Sequence, residues 1–163
     1  MEPGWILLFL HLLGGTAWLG ASIFANLVVV PSIGRRPRGE RPALVRSLIT
    51  GPERLLIGSA LLAGITGLLL GVSSGRIAGL DDVATPFGTL WVASIVVALG
   101  VFATGGLVTS RAARALGSDP TPGAAGASEP GTDAALERLR IGFAVELAGI
   151  VAILALMVAL GRS

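Results

Sequence analysis

Residues 6–30 read ILLFLHLLGGTAWLGASIFANLVVV, and this apolar run decides the fold class of the chain. A helix of roughly 20 apolar residues is long enough to cross a hydrocarbon core of ~30 Å. The run lies in a longer stretch, 3–34, and further apolar stretches occupy 55–75, 83–110 and 141–161. The sequence therefore predicts an all-α, antiparallel four-helix bundle embedded in a membrane, forming one transmembrane domain over 1–163 with spans at about 5–31, 54–75, 86–110 and 139–161.

The composition excludes a soluble globular protein. Charged residues make up 13% of the 163 residues and the mean hydropathy is +0.82, whereas about a quarter of the residues in a soluble domain are charged. The chain has no cysteine, which excludes disulfides, iron–sulfur clusters and thiolate metal sites. It also has no lysine and is rich in alanine, glycine and leucine, as expected of a GC-rich bacterial genome.

The arginines predict how the spans are oriented. Two of the three gaps between spans are rich in arginine, whereas the second gap has only Arg76 beside two aspartates. The arginines are Arg35, Arg36, Arg38, Arg41, Arg46 and Arg54 in the first gap, and Arg111, Arg114, Arg138 and Arg140 in the third. By the positive-inside rule, these two gaps lie in the cytoplasm. We therefore expect a multi-pass protein of the bacterial inner (plasma) membrane with both termini outside. Arginines beside a membrane indicate topology and a lipid bilayer as the partner. Nucleic acid is a poor alternative partner for them.

Three segments carry local signals between the spans. Thr50 followed by Glu53 is typical of a capping box and predicts that the second helix begins there. Thr85 before Pro86 predicts the cap and first turn of the third helix. Residues 117–132 lack large apolar side chains and predict a flexible cytoplasmic linker.

Small residues form stripes on two of the predicted spans. They are Ala60, Gly64, Gly67 and Gly71 on the second span, and Gly142 and Gly149, on the same face as Glu146, on the fourth. Such stripes let helix backbones approach closely in lipid, where packing drives association. They predict a compact bundle.

His11 is the only histidine, about six residues inside the first span and thus ~9 Å below the outer surface. Trp18 lies seven residues further on, on nearly the same face of the helix. One interpretation of His11 is a ligand, since neutral imidazole binds haem iron and copper. The other is a histidine hydrogen-bonded to a neighbouring helix, because a lone histidine without a second ligand is weak support for a metal site.

Glu146 enters the membrane from the other side, about six residues inside the fourth span. A carboxylate at that depth is costly unless it is paired or protonated. Glu146 and His11 differ in depth by ~12 Å, so we do not expect a direct pair. Trp18 lies near the depth of Glu146, and its indole N–H is a candidate donor to the carboxyl group. Interhelical hydrogen bonding, a proton-relay step and a cofactor contact all remain open for Glu146.

The first span, LLFLHLLGGTAWLGASIFANLVVVPSI, resembles the opening helix of the copper-resistance protein D superfamily. The matching residues are His11, Trp18 and Pro31, followed by an arginine-rich loop; Thr66-Gly67 and the entry RLRIGFAVELAGIVAIL, with Glu146, extend the resemblance. The superfamily includes small four-helix proteins and, more distantly, a protoporphyrinogen oxidase that binds haem b. Residues 86–110 contain neither lysine nor histidine, and a methionine ladder for copper is missing. Copper transport and oxidase activity are therefore disfavoured. The resemblance still implies one axial haem ligand, His11.

Two functional hypotheses follow. In the first, the protein binds haem b, or less favourably copper, through His11, with Trp18 and Glu146 shaping the pocket, for electron transfer or haem handling rather than enzymatic catalysis. In the second, it is a non-catalytic accessory subunit of a larger membrane complex or a homo-oligomer, and His11 and Glu146 form interhelical hydrogen bonds. The sparse intramembrane chemistry supports the second.

The predicted orientation leads to a direct test. A peptide tag inserted after Arg41 should be inaccessible to antibody in intact cells and accessible after the membrane is permeabilised, because the first gap is predicted to be cytoplasmic. Labelling of the tag in intact cells would overturn the orientation.

Overall fold

The computed structural model describes residues 3–118 and 130–162, and each of its regular elements is helical. The α-helices are α1 (Pro3–Phe24), α2 (Val30–Arg35), α3 (Arg41–Ser73), α4 (Pro86–Thr104), α5 (Ser110–Gly117) and α6 (Pro130–Leu160). A first π-helical turn, Ala25–Val29, joins α1 to α2, and a second, Gly105–Thr109, joins α4 to α5. Short 3₁₀ turns occupy Arg38–Glu40 and Leu80–Ala84.

Four helical segments are long and apolar enough to cross a membrane, as predicted. They are span 1 (Gly4–Arg35), span 2 (Glu53–Ser73), span 3 (Pro86–Gly117) and span 4 (Gly131–Leu160). Large apolar side chains such as Leu12, Leu27 and Leu99 are more than half exposed, as expected where lipid rather than water surrounds the helices. The protein is a multi-pass membrane protein with a helical bundle.

Two helices begin earlier than the sequence predicted. Helix α3 begins at Arg41 and runs through Thr50 and Glu53 without a break, so the predicted helix start at Thr50 is wrong. Helix α6 begins at Pro130, inside the segment predicted as linker; the remainder of that linker, 119–129, lies outside the described residues. The physical reason is burial: these polar-looking extensions carry Val45 and Ala135, which are 3% and 7% exposed in a shared core.

The spans associate as two antiparallel pairs. Span 1 packs along span 2, and span 3 packs along span 4. The pairs meet in two apolar clusters. The larger, at the arginine-rich end of the bundle, consists of Ala25, Val29, Val30, Ile33, Val45, Ala112, Ala113, Leu116, Ala135, Leu139 and Phe143. The smaller, nearer the middle, consists of Trp18, Ala60, Val101, Ile150 and Ile153.

Polar interactions order the ends of the helices. Asp133, near the start of α6, pairs with Arg38 and with Arg41, whose Nη1 lies 3.0 Å from Oδ1. At the opposite end, the Thr85 hydroxyl accepts the Gly88 N–H at 3.0 Å, which confirms the predicted cap. Nearby, N–H groups of Ala78 and Gly79 donate to Asp82 and lower the pKa of its carboxyl group.

The contact between spans 1 and 2 depends on a glycine. A Cβ at Gly14 would lie 2.8 Å from the Ala63 nitrogen and 2.9 Å from the Ser59 carbonyl oxygen, both backbone atoms of span 2. A Cβ at the neighbouring Gly15 would meet nothing within 4 Å. The two backbones can approach this closely only because position 14 has no side chain.

Gly14→Ala should therefore push the two spans apart and lower the free energy of unfolding in detergent by about 1–3 kcal/mol. The measurement is unfolding monitored by tryptophan fluorescence. Gly15→Ala is the matched control and should change the stability by less than about 0.5 kcal/mol. Equal effects of the two substitutions would contradict this packing.

Candidate functional site

His11 lies between spans 1 and 2, in the half of the bundle away from the arginine-rich end. Its Nδ1 lies 2.8 Å from the Ala63 carbonyl oxygen and 3.4 Å from the Thr66 hydroxyl. A carbonyl oxygen only accepts hydrogen bonds, so Nδ1 carries the proton and the neutral ring keeps its lone pair on Nε2. Gly67 makes room for the ring, since a Cβ there would lie 2.8 Å from Cε1. This is the arrangement that a ligating histidine has in many metal sites.

His11 does not belong to a group of candidate metal ligands among the described residues. In the part of the chain that the structure describes, no group of three or more His, Cys, Asp or Glu residues could hold a metal ion. His11 also lines neither of the two cavities described below. Its site is a single imidazole nitrogen at a helix–helix contact.

A cavity of about 660 Å³ lies between the two pairs of spans. It is lined mostly by apolar and small residues: Trp18, Gly20, Ala21, Phe24, Ala25 and Val29 of span 1; Leu48, Glu53, Leu55, Leu56, Ile57 and Ala60 of helix α3; Val101, Phe102, Gly105, Gly106, Thr109, Ser110 and Ala113 of span 3; and Phe143 and Glu146 of span 4. Phe24, Leu55 and Phe102 are 46%, 58% and 38% exposed. The cavity is therefore open to the surface that faces lipid.

Glu146 is the buried carboxyl group of this cavity. Its side chain is 6% exposed, and the Thr109 hydroxyl donates a short hydrogen bond to Oε1. Thr109 is the only hydrogen-bond partner that the described residues give this carboxyl group. A Cβ at Gly105 would lie 3.5 Å from Oε1, an ordinary contact distance, so Gly105 lies directly beside the carboxyl group.

Both π turns border the cavity. The first contributes Ala25 and Val29 to its lining, and the second contributes Gly105, Gly106 and Thr109. A π turn shifts the helix register by one residue and is frequent at functional sites. The second π turn has Gly105 and Thr109, the two residues next to the Glu146 carboxyl group, as its first and last residues.

Asn26, in the first π turn, joins span 1 to span 4. Its Nδ2 donates to the Ser22 carbonyl at 2.9 Å and to the Phe143 carbonyl at 3.0 Å. Phe143 lies one helical turn before Glu146, so this bond fixes span 4 beside the cavity. The Ser22 hydroxyl, in contrast, is fully buried and has no partner within the described residues.

A second, smaller cavity of about 270 Å³ adjoins the first at the arginine-rich end. Both cavities are lined by Glu53, Ser110 and Ala113, and the smaller one also by Val45, Arg46, Arg114, Gly117 and Ser118. The Ser110 hydroxyl donates to Glu53 Oε1 at 3.1 Å. Glu53 therefore lies at the junction of the two cavities.

The structure brings together two of the three residues singled out in the sequence. Trp18 and Glu146 line one cavity, and His11 lies apart from it. The donor to Glu146 is Thr109 rather than the Trp18 indole. Asn26, Glu53, Thr109 and Ser110 were not anticipated as site residues. The signals that could have found them are an asparagine inside an apolar run and a Thr-Ser pair directly before Arg111.

Comparison with protein families, with curated proteins and with solved structures gives no match. The resemblance to the copper-resistance protein D superfamily thus rests on the matched residues alone and stays a prediction.

Proposed function

We propose that the protein binds a neutral, lipid-soluble molecule in the larger cavity, with Glu146 as the polar anchor. The observation that carries this proposal is the Glu146 carboxyl group, which lines a mostly apolar cavity and has Oε1 bound by Thr109 and Oε2 without a partner among the described residues. A polar group in the hydrocarbon region is costly while its hydrogen bonding is incomplete. A ligand that completes its hydrogen bonding removes that cost.

The surroundings of Glu146 favour the protonated acid. A carboxylate in the hydrocarbon region needs a cationic partner, and the ion pairs found in the described residues involve Glu40 and Asp133 instead. With Oε1 accepting from Thr109, the acid proton resides on Oε2. The ligand must then offer an acceptor, and a carbonyl oxygen is the simplest acceptor that a lipid-soluble molecule has.

The cavity suits such a molecule. Its volume of about 660 Å³ is within the ~300–1,000 Å³ typical of small-molecule sites. Its opening toward lipid allows entry from the bilayer. A quinone with a hydrocarbon tail has both features required here: carbonyl acceptors on the headgroup and an apolar body.

Trp18 gives a direct readout of binding, because it is 8% exposed and lines the cavity. In a Trp5→Phe/Trp91→Phe background Trp18 is the sole tryptophan, and decylubiquinone should quench its fluorescence saturably. Glu146→Leu should raise the dissociation constant roughly tenfold, the equivalent of ~1.4 kcal/mol for the lost hydrogen bond. Glu146→Gln should bind like the parent, since its amide still donates.

Glu146→Gln is also the decisive control. Loss of binding in both variants would contradict the protonated donor and indicate that an ionised carboxylate is needed. Quenching that does not saturate, or that is the same in Glu146→Leu, would overturn the proposed site.

Haem b held by His11 is a second candidate function. One observation favours it: the Ala63 carbonyl fixes the imidazole tautomer and leaves the Nε2 lone pair available. The residues fit the attachment of an iron centre by one axial ligand, and they do not form a pocket that combines His11 with Trp18 and Glu146. When bound, the group would supply one-electron chemistry. His11 would orient it, and Ala63 and Gly67 would hold His11.

Protein expressed with haem supplied should show a Soret absorption band under this second candidate, and His11→Ala should abolish it. Glu146→Gln is the matched control and should keep the band, because it changes the cavity and not the His11 contact. No band in the parent protein would overturn haem binding. If other subunits then co-purified, the accessory-subunit hypothesis would gain support.

The proposed orientation places the arginine-rich end, and hence the smaller cavity, on the cytoplasmic side of the bacterial inner membrane. It is supported by the arginine distribution. The larger cavity and Glu146 are then in the cytoplasmic half of the bilayer, and His11 is in the outer half.

A further inference from the structure

The hydroxyl groups of two consecutive residues on span 3 donate hydrogen bonds to carboxyl groups on two different helices. Thr109 donates to Glu146 of span 4, and Ser110 donates to Glu53 of helix α3. Consecutive helical residues point in directions ~100° apart, which allows neighbours in sequence to face different helices. The second π turn ends at Thr109 and thereby sets this direction.

The two carboxyl groups also border one continuous space. Both line the larger cavity, and Glu53 and Ser110 line the smaller cavity as well, whose other polar residues are Arg46, Arg114 and Ser118. Glu53 is only half-buried, whereas Glu146 is 6% exposed. Polar groups thus lie at the arginine-rich mouth, at the junction of the two cavities and at the buried acid.

We propose that Glu53 and Ser110 form a proton-exchange route between the arginine-rich surface and Glu146, whose carboxyl group Thr109 holds in place. This inference rests on the protonated state of Glu146 in the proposed function. The acid proton of Glu146 leaves through a water molecule drawn from the smaller cavity. The Ser110 oxygen accepts a proton from that water as its own proton passes to the Glu53 carboxylate. The hydroxyl is regenerated, and one proton has moved from Glu146 to Glu53.

The charged and titratable groups facing the route are known from the structure. Glu53 faces it from helix α3, Glu146 from span 4, and the guanidinium groups of Arg46 and Arg114 line its mouth from helices α3 and α5. Arg46 Nη1 donates to the Gly117 carbonyl at 2.8 Å, which ties the two sides of the mouth together. Thr109 keeps the Glu146 carboxyl group oriented at the inner end.

The consequence for the proposed ligand is that the acid proton of Glu146, its hydrogen-bond donor, exchanges with one side of the membrane only. Glu146, as the donor to the ligand carbonyl, would exchange its acid proton with the arginine-rich side. His11, the titratable side chain in the other half of span 1, contacts Ala63 and Thr66 and is not part of this route.

Infrared spectroscopy of the reconstituted protein can test the route through hydrogen–deuterium exchange. The carboxylic acid C=O band of Glu146 is assigned by its loss in Glu146→Gln, and it shifts when the acid is deuterated. Glu53→Gln and Ser110→Ala should slow that shift about tenfold or more, because each removes a proton-transfer group. Glu40→Gln and Ser47→Ala, at exposed carboxyl and hydroxyl positions of the same end, should exchange as fast as the parent.

The outcomes separate the two proposals. A normal C=O band with unchanged exchange in both Glu53→Gln and Ser110→Ala would overturn the route and leave the protonated anchor intact. No acid band in the parent protein would overturn the protonated anchor and the route with it. Thermal unfolding of each variant shows whether its fold is disturbed. Slower exchange supports the route only in a variant that keeps the parental stability and the parental C=O frequency.

Discussion

Hydrocarbon offers no hydrogen-bond partners, and this constraint governs where each polar side chain of the bundle is found. Several hydroxyl groups on the spans bond to a carbonyl one turn earlier on their own helix, as Ser59, Thr66 and Ser94 do. Among the described residues, four of the hydrogen bonds between helices link the four spans in a cycle. They are His11–Ala63 between spans 1 and 2, Glu53–Ser110 between spans 2 and 3, Thr109–Glu146 between spans 3 and 4, and Asn26–Phe143 between spans 4 and 1.

These four bonds close a ring around the bundle. Interhelical hydrogen bonds in membranes contribute only ~0.6 kcal/mol on average, so their main effect is to fix the rotation and register of each helix. The packing energy comes from close contacts at small residues, such as Gly14 on the backbone of span 2 and Gly149 on Val101. Packing determines how near the helices come, and the polar ring determines which faces meet. Both π turns carry a member of the ring, Asn26 in the first and Thr109 in the second.

The sequence predicted the features that depend on composition along one helix. The four spans and the Thr85 cap needed only hydropathy, helix length and local capping rules. The partners of His11 and Glu146 could not be predicted, because they depend on how neighbouring helices are rotated and on the register shift at Gly105–Thr109. The stripe on the second span shows the same limit: Gly67 contacts His11, Gly71 contacts Trp91, and a Cβ at Gly64 would meet nothing within 4 Å. The extension of α3 back to Arg41 was missed because its arginines suggest a loop, while Val45 on its other side is buried.

The larger cavity exists because the spans associate as two pairs, spans 1 and 2 and spans 3 and 4. Where the pairs face each other, several lining positions are small, among them Ala21, Ala25, Gly105 and Ala113, and the side chains do not fill the space. Unfilled apolar space forfeits dispersion contacts on every lining atom, so in a bilayer a hydrocarbon chain will enter it. A plain acyl chain would restore those contacts and still leave Glu146 Oε2 without a partner. A molecule with an apolar body and an acceptor oxygen restores both, and for this reason the buried acid, rather than the volume of the cavity, selects the ligand.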